Sequence, residues 1–203
     1  MKQVIQIRCK NNKKSQKVEI GSTLFDIFSA FDLKMTHGPV SARVNNKVEG
    51  MHYRVYNSKD VEFLDMTSSS GSRAYTRTLF FVLCKAVQDI YPATDVVIDI
   101  PVSNGFYVDI RLGRPVVDED VNIIRRRMQE IIDARMPIRR FTVPTEEAVA
   151  LFQEKGDVEK VKLLKTSGSI YTTYYKIGDY VDYYYGTLLT NTSQLYLFGL
   201  EKY

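Results

Sequence analysis

The first 66 residues contain short runs in which apolar and polar residues alternate, and one stretch in which apolar residues recur at helical spacing. Alternation predicts half-buried strands, whereas recurrence every three or four residues predicts an amphipathic helix. The helix follows Thr23, which together with Asp26 resembles a capping box. A ββαββ order predicts a small mixed sheet covered on one face by a single helix. The predicted strands are centred on Ile5, Val18, Ala42, Val48 and Val61.

A small, polar stretch, Thr67–Ser72, separates this region from the rest of the chain. Serine- and glycine-rich composition is typical of a flexible linker. We therefore predict a domain over 1–66, a linker over 67–72 and a second domain over 73–203, each of ordinary domain size.

The second region contains both helical and strand patterns. Asn104-Gly105 favours a primed hairpin turn, and acidic residues at 118–120 favour a helix start. The predicted elements are a helix over 73–91 ended by Pro92, a strand at 96–98, a hairpin at Ser103–Gly105, a strand at 106–112, a helix after Asp118, a helix with Thr145 as its N-cap, and strands at Tyr171–Lys176 and Leu195–Leu200.

The helix over 73–91 has an unusual second face. Its apolar stripe includes Val82, Leu83 and Ala86, yet another large apolar residue, Phe81, lies out of phase with that stripe. At 100° per residue, the opposite face consists of Arg77, Phe81, Cys84 and Gln88. Two interpretations remain open: the helix is buried on two sides, or this face borders a cleft.

The net charge of +4 is uneven, because residues 1–66 hold 11 Lys/Arg against 7 Asp/Glu while the remainder is balanced. This excess indicates either an anionic partner or simply a solvated basic surface. No apolar run approaches the roughly 18 residues that span a bilayer, and the N-terminus has no signal-peptide core. With only Cys9 and Cys84, we expect a cytoplasmic protein without disulfides and without a membrane partner.

Several catalytic motifs are missing from the sequence. It contains neither G-x-x-x-x-G-K-[ST] nor G-x-G-x-x-G, so those routes to nucleotide binding are excluded. The soft metal ligands have no paired spacing, and the second region has no histidine for a catalytic triad. These ligands are Cys9, His37, His52 and Cys84. We therefore expect no metal, no cofactor and no catalytic residue in this chain.

Residues 1–66 resemble a TGS domain, the β-grasp module found at the start of threonyl-tRNA synthetases and of some GTPases. The residues that carry the resemblance are "VEIGSTLFDIF", "GPVSARVNNKVEGMHYRV" and "VEFLD". The second region resembles the editing domain of threonyl-tRNA synthetases, which is related to that of alanyl-tRNA synthetases. Here the residues are "AVQDIYPATDVVIDIPVSNGFYVDI" and "GDYVDYYYGTLLTNT". The two resemblances imply an α+β chain, in which a small β-grasp domain precedes an α+β domain with a mostly antiparallel sheet.

The family's metal ligands are replaced in this sequence. The resemblance places a helical H-x-x-x-H at Arg77 and Phe81, and a later C-x-x-x-H at Tyr184 and Leu188. None of these four side chains can hold zinc or activate a zinc-bound water. The resemblance therefore implies an editing fold that has lost its editing chemistry.

A TGS-like unit followed by an editing-like unit without ligands also resembles the N-terminal region of a group of bacterial nucleoside kinases. These look like uridine kinase or phosphoribulokinase in their C-terminal half. The resemblance implies a non-catalytic regulatory region, with a kinase domain of the same protein as its partner. ATP and magnesium are expected only for that domain. We expect the chain to stop before it.

Seven of the fourteen tyrosines lie between 171 and 185. Tyrosine can stack on a base or fill a core. We expect Phe81, Tyr184 and Leu188 to plug the former metal site. The former cleft, which could hold a small ligand or RNA, would then be lined by Cys84, Gln88, Tyr107, Tyr171 and Tyr175.

An RNA-binding or tRNA-binding module is the alternative function. Its candidate phosphate contacts are Arg125, Arg126, Arg139 and Arg140. Three successive arginines, 125–127, spread around about 200° of a helix and so do not form one patch. A deacylase acting on mischarged tRNA is a third possibility, but it would need the missing ligands.

Overall fold

The structure, a computed structural model, describes residues 3–92, 94–102 and 105–203. The chain forms two compact units, Met1–Met136 with Thr187–Tyr203, and Pro137–Gly186. Five helices and mostly antiparallel strands are found in the described part, which confirms the predicted α+β class. The elements are β1 Val4–Cys9, β2 Ser15–Glu19, α1 Leu24–Ala30, β3 Ser41–Val44, β4 Lys47–Gly50, β5 Lys59–Leu64, α2 Ser69–Ile90, β6 Asp95–Val102, β7 Gly105–Arg111, α3 Asp118–Asp133, β8 Arg139–Pro144, α4 Thr145–Glu154, α5 Val158–Thr166, β9 Tyr171–Ile177, β10 Tyr180–Tyr183 and a 3₁₀ turn Thr192–Gln194.

The first unit begins with a five-stranded sheet in the order β2-β1-β5-β3-β4, in which only the β1–β5 pair is parallel. The predicted capping box is confirmed: Thr23 N–H donates to Asp26 Oδ2 at 2.8 Å, and Asp26 N–H donates to Thr23 Oγ1 at 3.2 Å. This cap starts α1, whose buried Leu24 and Ile27 join the core under the sheet. The five predicted strands are found in one sheet, but three of them rather than two follow the helix, so the order is ββαβββ and not ββαββ.

The predicted linker is largely helical. Helix α2 begins at Ser69 rather than at Arg73, because Ser68 accepts a hydrogen bond from Gly71 N–H at 3.1 Å and caps the helix. A Cβ on Gly71 would lie 1.9 Å from the carbonyl oxygen of Asp65. The glycine therefore permits close backbone packing rather than flexibility. The assignment of 1–66 and 73–203 to two domains stays a prediction.

The rest of the first unit is built on α2 and α3. Buried residues of α2 include Phe81 as well as the predicted stripe residues Val82, Leu83, Ala86 and Val87. Strands β6 and β7 pair as an antiparallel ribbon from Asp95 with Arg111 to Val102 with Gly105. The primed-turn prediction rests on Asn104-Gly105, and Asn104, like Ser103 before it, lies outside the described residues.

The predicted strand Leu195–Leu200 is wrong. This stretch is irregular after the 3₁₀ turn. Backbone groups of Tyr196 and Leu197 bond to the Tyr75 side chain instead of to a neighbouring strand. The Tyr75 hydroxyl donates to Leu197 O at 2.8 Å and accepts from the N–H groups of Tyr196 and Leu197 at 3.1 and 2.9 Å. One phenol on α2 thereby satisfies three backbone groups.

The second unit is a three-stranded antiparallel sheet, β10-β9-β8, with α4 and α5. Its core contains Ala148, Phe152, Leu164 and Val181. The predicted strand at Tyr171–Lys176 is confirmed as β9. Thr145 is the first helical residue of α4 and not its N-cap, a position that Pro144 occupies; the Thr145 hydroxyl donates instead to Ser169 O at 2.6 Å.

Among the described residues, none of the helices has the length and apolar character that crossing a membrane requires.

Candidate functional site

The second face of α2 is mostly closed. Phe81 is 0% exposed, Arg77 and Cys84 are half-buried, and only Gln88 is exposed. Since the predicted stripe on the other side of the helix is buried too, the interpretation of a helix buried on two sides is confirmed at Phe81.

Leu188, the other candidate position in the first unit, is also buried, at 2% exposure. The neighbouring Leu189 N–H donates to Thr78 Oγ1 at 2.8 Å, and that hydroxyl donates to Ala74 O at 2.7 Å. Thr78 lies one residue after Arg77 and one helical turn before Phe81. The segment that carries Leu188 is therefore anchored on the part of α2 that carries Arg77 and Phe81.

Thr78 was missed by the sequence reasoning. It is fully buried and connects two segments 111 positions apart. No local sequence pattern predicts such a long-range partner for a single helical threonine. The hydroxyl of threonine in a helix commonly donates to a backbone carbonyl of the preceding turn.

Tyr184, the remaining candidate position, lies in the second unit and is half-buried. Its predicted placement opposite Phe81 stays a prediction. On β9, Tyr171 is 64% exposed and Tyr175 is 3% exposed, although both have the same strand parity. The Tyr175 hydroxyl donates to Gly186 O at 2.8 Å, so this tyrosine serves the packing of the second unit. In the first unit, exposed Tyr107 makes an edge-on ring contact with Tyr203, with centroids 6.3 Å apart.

The Tyr-Val-Asp stretch has a structural role in the second unit. Asp182 accepts a hydrogen bond from the Tyr180 hydroxyl at 2.8 Å and pairs with Lys160 Nζ at 2.8 Å. Lys160 also pairs with Asp157 at 2.7 Å. Burial alone lowers the pKa of Lys160, but the two carboxylates outweigh it and leave the pKa raised. The lysine is thus held in its charged form as a link between α5 and β10.

The Asn-Thr pair that follows has a structural role as well. Asn191 Nδ2 donates to Arg135 O at 2.8 Å. The Thr192 hydroxyl donates to Ile131 O at 2.9 Å and accepts from Met136 N–H at 2.9 Å. Both side chains therefore satisfy backbone groups at the C-terminal end of α3, where carbonyls lack intrahelical partners.

The candidate arginines separate in the structure. Arg127 turns towards α2 and pairs with Asp89 at 2.9 Å and with Glu130 at 2.8 Å. Arg125 and Arg126 instead line a common groove of about 570 Å³ in the first unit. The prediction that the three arginines do not form one patch is confirmed. Arg139 and Arg140 are exposed neighbours on β8 in the second unit.

No cluster of three or more His, Cys, Asp or Glu side chains suited to a metal ion occurs within residues 3–92, 94–102 and 105–203.

No family model matches the chain. Similar curated proteins are threonine–tRNA ligases. The one from Clostridium kluyveri is 30% identical over 193 residues, which cover 94% of this chain and 30% of that ligase. The one from Acetivibrio thermocellus is 29% identical, covering 89% of this chain and 28% of the ligase. For Clostridioides difficile the identity is 28%, with coverages of 92% and 29%. The chain thus spans less than a third of the length of these relatives, and over about nine-tenths of its own length it is similar to part of a threonine–tRNA ligase.

Proposed function

We propose that this chain is a non-catalytic accessory region whose tRNA-editing fold has lost its metal site. The observation that carries the proposal is the burial of Phe81 and Leu188, at 0% and 2% exposure. Metal-assisted hydrolysis requires ligands that donate to the metal and an open position for water. A phenyl ring and an isobutyl group supply no ligand atoms, and their burial favours packing over chemistry.

A deacylation assay tests whether the chain has lost the hydrolytic editing activity. The purified chain is incubated with threonine-specific tRNA that carries a wrong amino acid. One reaction contains no added metal and the other contains zinc, and the remaining aminoacyl-tRNA is measured over time. We expect the same decay as in buffer under both conditions. The zinc content of the protein, measured by mass spectrometry, should be far below one ion per chain. Zinc-dependent deacylation above the buffer rate would reject the proposal.

The proposal extends to the parent protein, which we take to be a cytoplasmic nucleoside kinase of the uridine kinase kind. Its support is the resemblance of a TGS-like unit followed by an editing-like unit without ligands. ATP and magnesium would bind the kinase domain and not this chain, whose role would be regulatory. Sequencing the gene beyond codon 203 tests this extension. A G-x-x-x-x-G-K-[ST] motif supports it, whereas a stop codon or a synthetase catalytic domain contradicts it.

RNA binding is a second candidate function, favoured by the hairpin of β1 and β2. Residues 8–17 contain five basic and no acidic residues. All five are exposed, and none forms an ion pair with another residue that the structure describes. These residues are Arg8, Lys10, Lys13, Lys14 and Lys17. Exposed cations in such density attract a phosphate backbone.

Binding of tRNA at 50 and 200 mM salt tests this candidate. We expect affinity to fall steeply with salt, and the salt slope to decrease by about 2 in the Lys10→Glu/Lys14→Glu variant. The matched control is Lys162→Glu/Lys165→Glu, which makes the same charge change on exposed positions of α5. Absence of binding at 50 mM salt, or equal losses in both variants, would remove this candidate.

A further inference from the structure

A groove in the first unit is lined by α3 and by the irregular segment 196–198, and its lining includes neither Phe81 nor Leu188. Its wall on α3 consists of residues spaced i, i+3, i+4 and i+7, which share one face of a helix. None of the seven lining residues is acidic. They are Asn122, Arg125, Arg126, Gln129, Tyr196, Leu197 and Phe198.

The two arginines of the groove differ in the hydrogen bonding of their guanidinium groups. Arg125 is fixed, because its Nε donates to Leu200 O at 3.1 Å, its Nη2 donates to the same oxygen, and its Nη1 donates to Asn122 Oδ1 at 3.2 Å. Arg126 is exposed and has no hydrogen bond or ion pair with any residue in the described part of the chain. The groove therefore presents one preorganised guanidinium and one with all its donors available. Guanidinium groups match phosphate oxygens in paired hydrogen bonds.

The opposite wall presents aromatic surface on a fixed backbone. Tyr196 is 53% exposed, although its ring packs against His37 in a stacked arrangement with centroids 5.6 Å apart. The Tyr75 hydroxyl bonds the backbone of both Tyr196 and Leu197, as described above. Nucleobases of any sequence can stack on such a side chain. The wall thus offers an apolar, partly aromatic surface whose position is set before a ligand arrives.

Two amide side chains flank the arginines on α3 and add hydrogen-bonding groups to the groove. Asn122 uses its Oδ1 for Arg125, which leaves its Nδ2 as a donor, and Gln129 uses its Nε2 for Asp133, which leaves its Oε1 as an acceptor. A donor and an acceptor next to an aromatic surface are what the edge of a nucleobase requires. The volume of about 570 Å³ lies within the range of small-molecule sites, roughly 300–1,000 Å³.

We propose that this groove binds a nucleotide, with the phosphate at Arg125 and Arg126 and the base on the Tyr196 side. Phosphate alone would leave the aromatic wall unused, and an apolar ligand would leave Arg126 without a partner. The nucleotide is either free or one unit of a single-stranded RNA. The proposal goes beyond the accessory role proposed above and does not depend on the loss of the metal site.

Calorimetric titration of the whole chain with AMP, UMP, uridine, inorganic phosphate and a ten-nucleotide single-stranded RNA tests the proposal. We expect a nucleotide or the oligonucleotide to bind more tightly than uridine or phosphate. Arg126→Ala should weaken binding about tenfold or more, as expected for lost charge-assisted hydrogen bonds. Tyr196→Leu should weaken it similarly, whereas Tyr196→Phe keeps the ring and should retain binding. Lys162→Ala removes an exposed charge on α5 and should change little.

The outcomes separate the two sources of the ligand. Binding of a mononucleotide that depends on Arg126 supports a free nucleotide, and binding of the oligonucleotide alone with the same dependence supports single-stranded RNA. The proposal is overturned if neither binds. It is also overturned if Arg126→Ala and Lys162→Ala have equal effects, or if Tyr196→Leu binds as well as the unchanged chain while its circular dichroism spectrum shows a native fold.

Discussion

Helices α2 and α3 of the first unit present two contrasting faces. On α2, the face at Phe81 lies where the resemblance expects metal ligands, yet Phe81 is fully buried and the segment of Leu188 is anchored beside it through Thr78. On α3, the face at Arg126 corresponds to no metal-ligand position of the resemblance. Arg126 is nevertheless exposed, and its guanidinium N–H groups have no partner among the described residues. The difference teaches that a position named by a resemblance can be closed by core packing, while an exposed cation can lie on a face that the resemblance does not name.

We expect the largest loss of stability from a substitution at Phe81, on the buried face of α2. Phe81→Ala should lower the free energy of unfolding by about 3–5 kcal/mol, because it leaves a cavity in a packed core. Urea unfolding followed by circular dichroism measures this. Phe81→Leu is the control and should cost clearly less, since it keeps most of the volume. A cost below about 1 kcal/mol for the alanine variant would mean that this face is open, and the comparison would fail.

The anchor of the Leu188 segment should have the next largest effect. Thr78→Val keeps the shape but leaves the buried Leu189 N–H without an acceptor, which costs about 1–3 kcal/mol. Hydrogen exchange gives the specific measurement, because protection of the Leu189 amide should fall sharply. Thr78→Ser keeps the hydroxyl and should preserve that protection even though it loses a methyl group. Equal protection in the valine and serine variants would show that the anchor is unimportant.

The start of α3 should show a pH dependence. Hydrogen bonds from Arg114 at 2.7 Å, from the Tyr91 hydroxyl at 2.6 Å and from Val117 N–H at 2.9 Å hold the pKa of Asp120 well below its usual range. A carboxyl whose pKa is lower in the folded state stabilises above its unfolded pKa of about 3.9, and this contribution is lost as pH falls further.

Asp120→Asn should therefore flatten the fall of the melting temperature between about pH 5 and pH 2, and should lower stability at neutral pH. Asp118→Asn is the matched control, because Asp118 is an exposed acid in the same helical turn. Thermal melts across this pH range measure both. If the profiles of Asp120→Asn and the unchanged chain run parallel, the buried carboxylate does not hold the start of α3.

The smallest effect on stability is expected at the open face. Arg126→Ala should change the free energy of unfolding by no more than about 0.5 kcal/mol, because the side chain is exposed and has no partner among the described residues. Arg127→Ala provides the contrast next to it, since Arg127 pairs with Asp89 and Glu130 and should cost up to about 1 kcal/mol. Thermal melts compare the two. Equal destabilisation would show that Arg126 has a structural partner and would weaken the case for an open site.

Local chemistry explains which parts of the fold could be predicted. The capping box at Thr23 and Asp26 and the apolar face of α3 depend on neighbours within a few residues, and both are found. Thr67–Ser72 misled because serine and glycine suit a linker as well as a helix cap with close packing. The decisive contact, Gly71 against Asp65 O, depends on where the chain has been placed.

The candidate site was harder to predict for the same reason. The apolar residues of Leu195–Leu200 predicted a strand, but the hydroxyl of Tyr75, more than 120 positions away, satisfies the backbone instead. The groove forms only because that segment lies beside α3, so Arg125 and Arg126 could be named from the sequence while Tyr196 could not. Phe81 was named as out of phase, and its burial decided between the two interpretations.

The discontinuity of the first unit has a consequence for biosynthesis. The bond from Leu189 to Thr78 spans 111 positions and that from Tyr75 to Leu197 spans 122, with the whole second unit made between them. A ribosome adds about 5–20 residues per second. On the order of ten seconds therefore pass between the synthesis of α2 and that of the segment that contains Leu189 and Leu197. During that interval the apolar side of α2 is available to chaperones, whereas the sheet of residues 4–64 can already close.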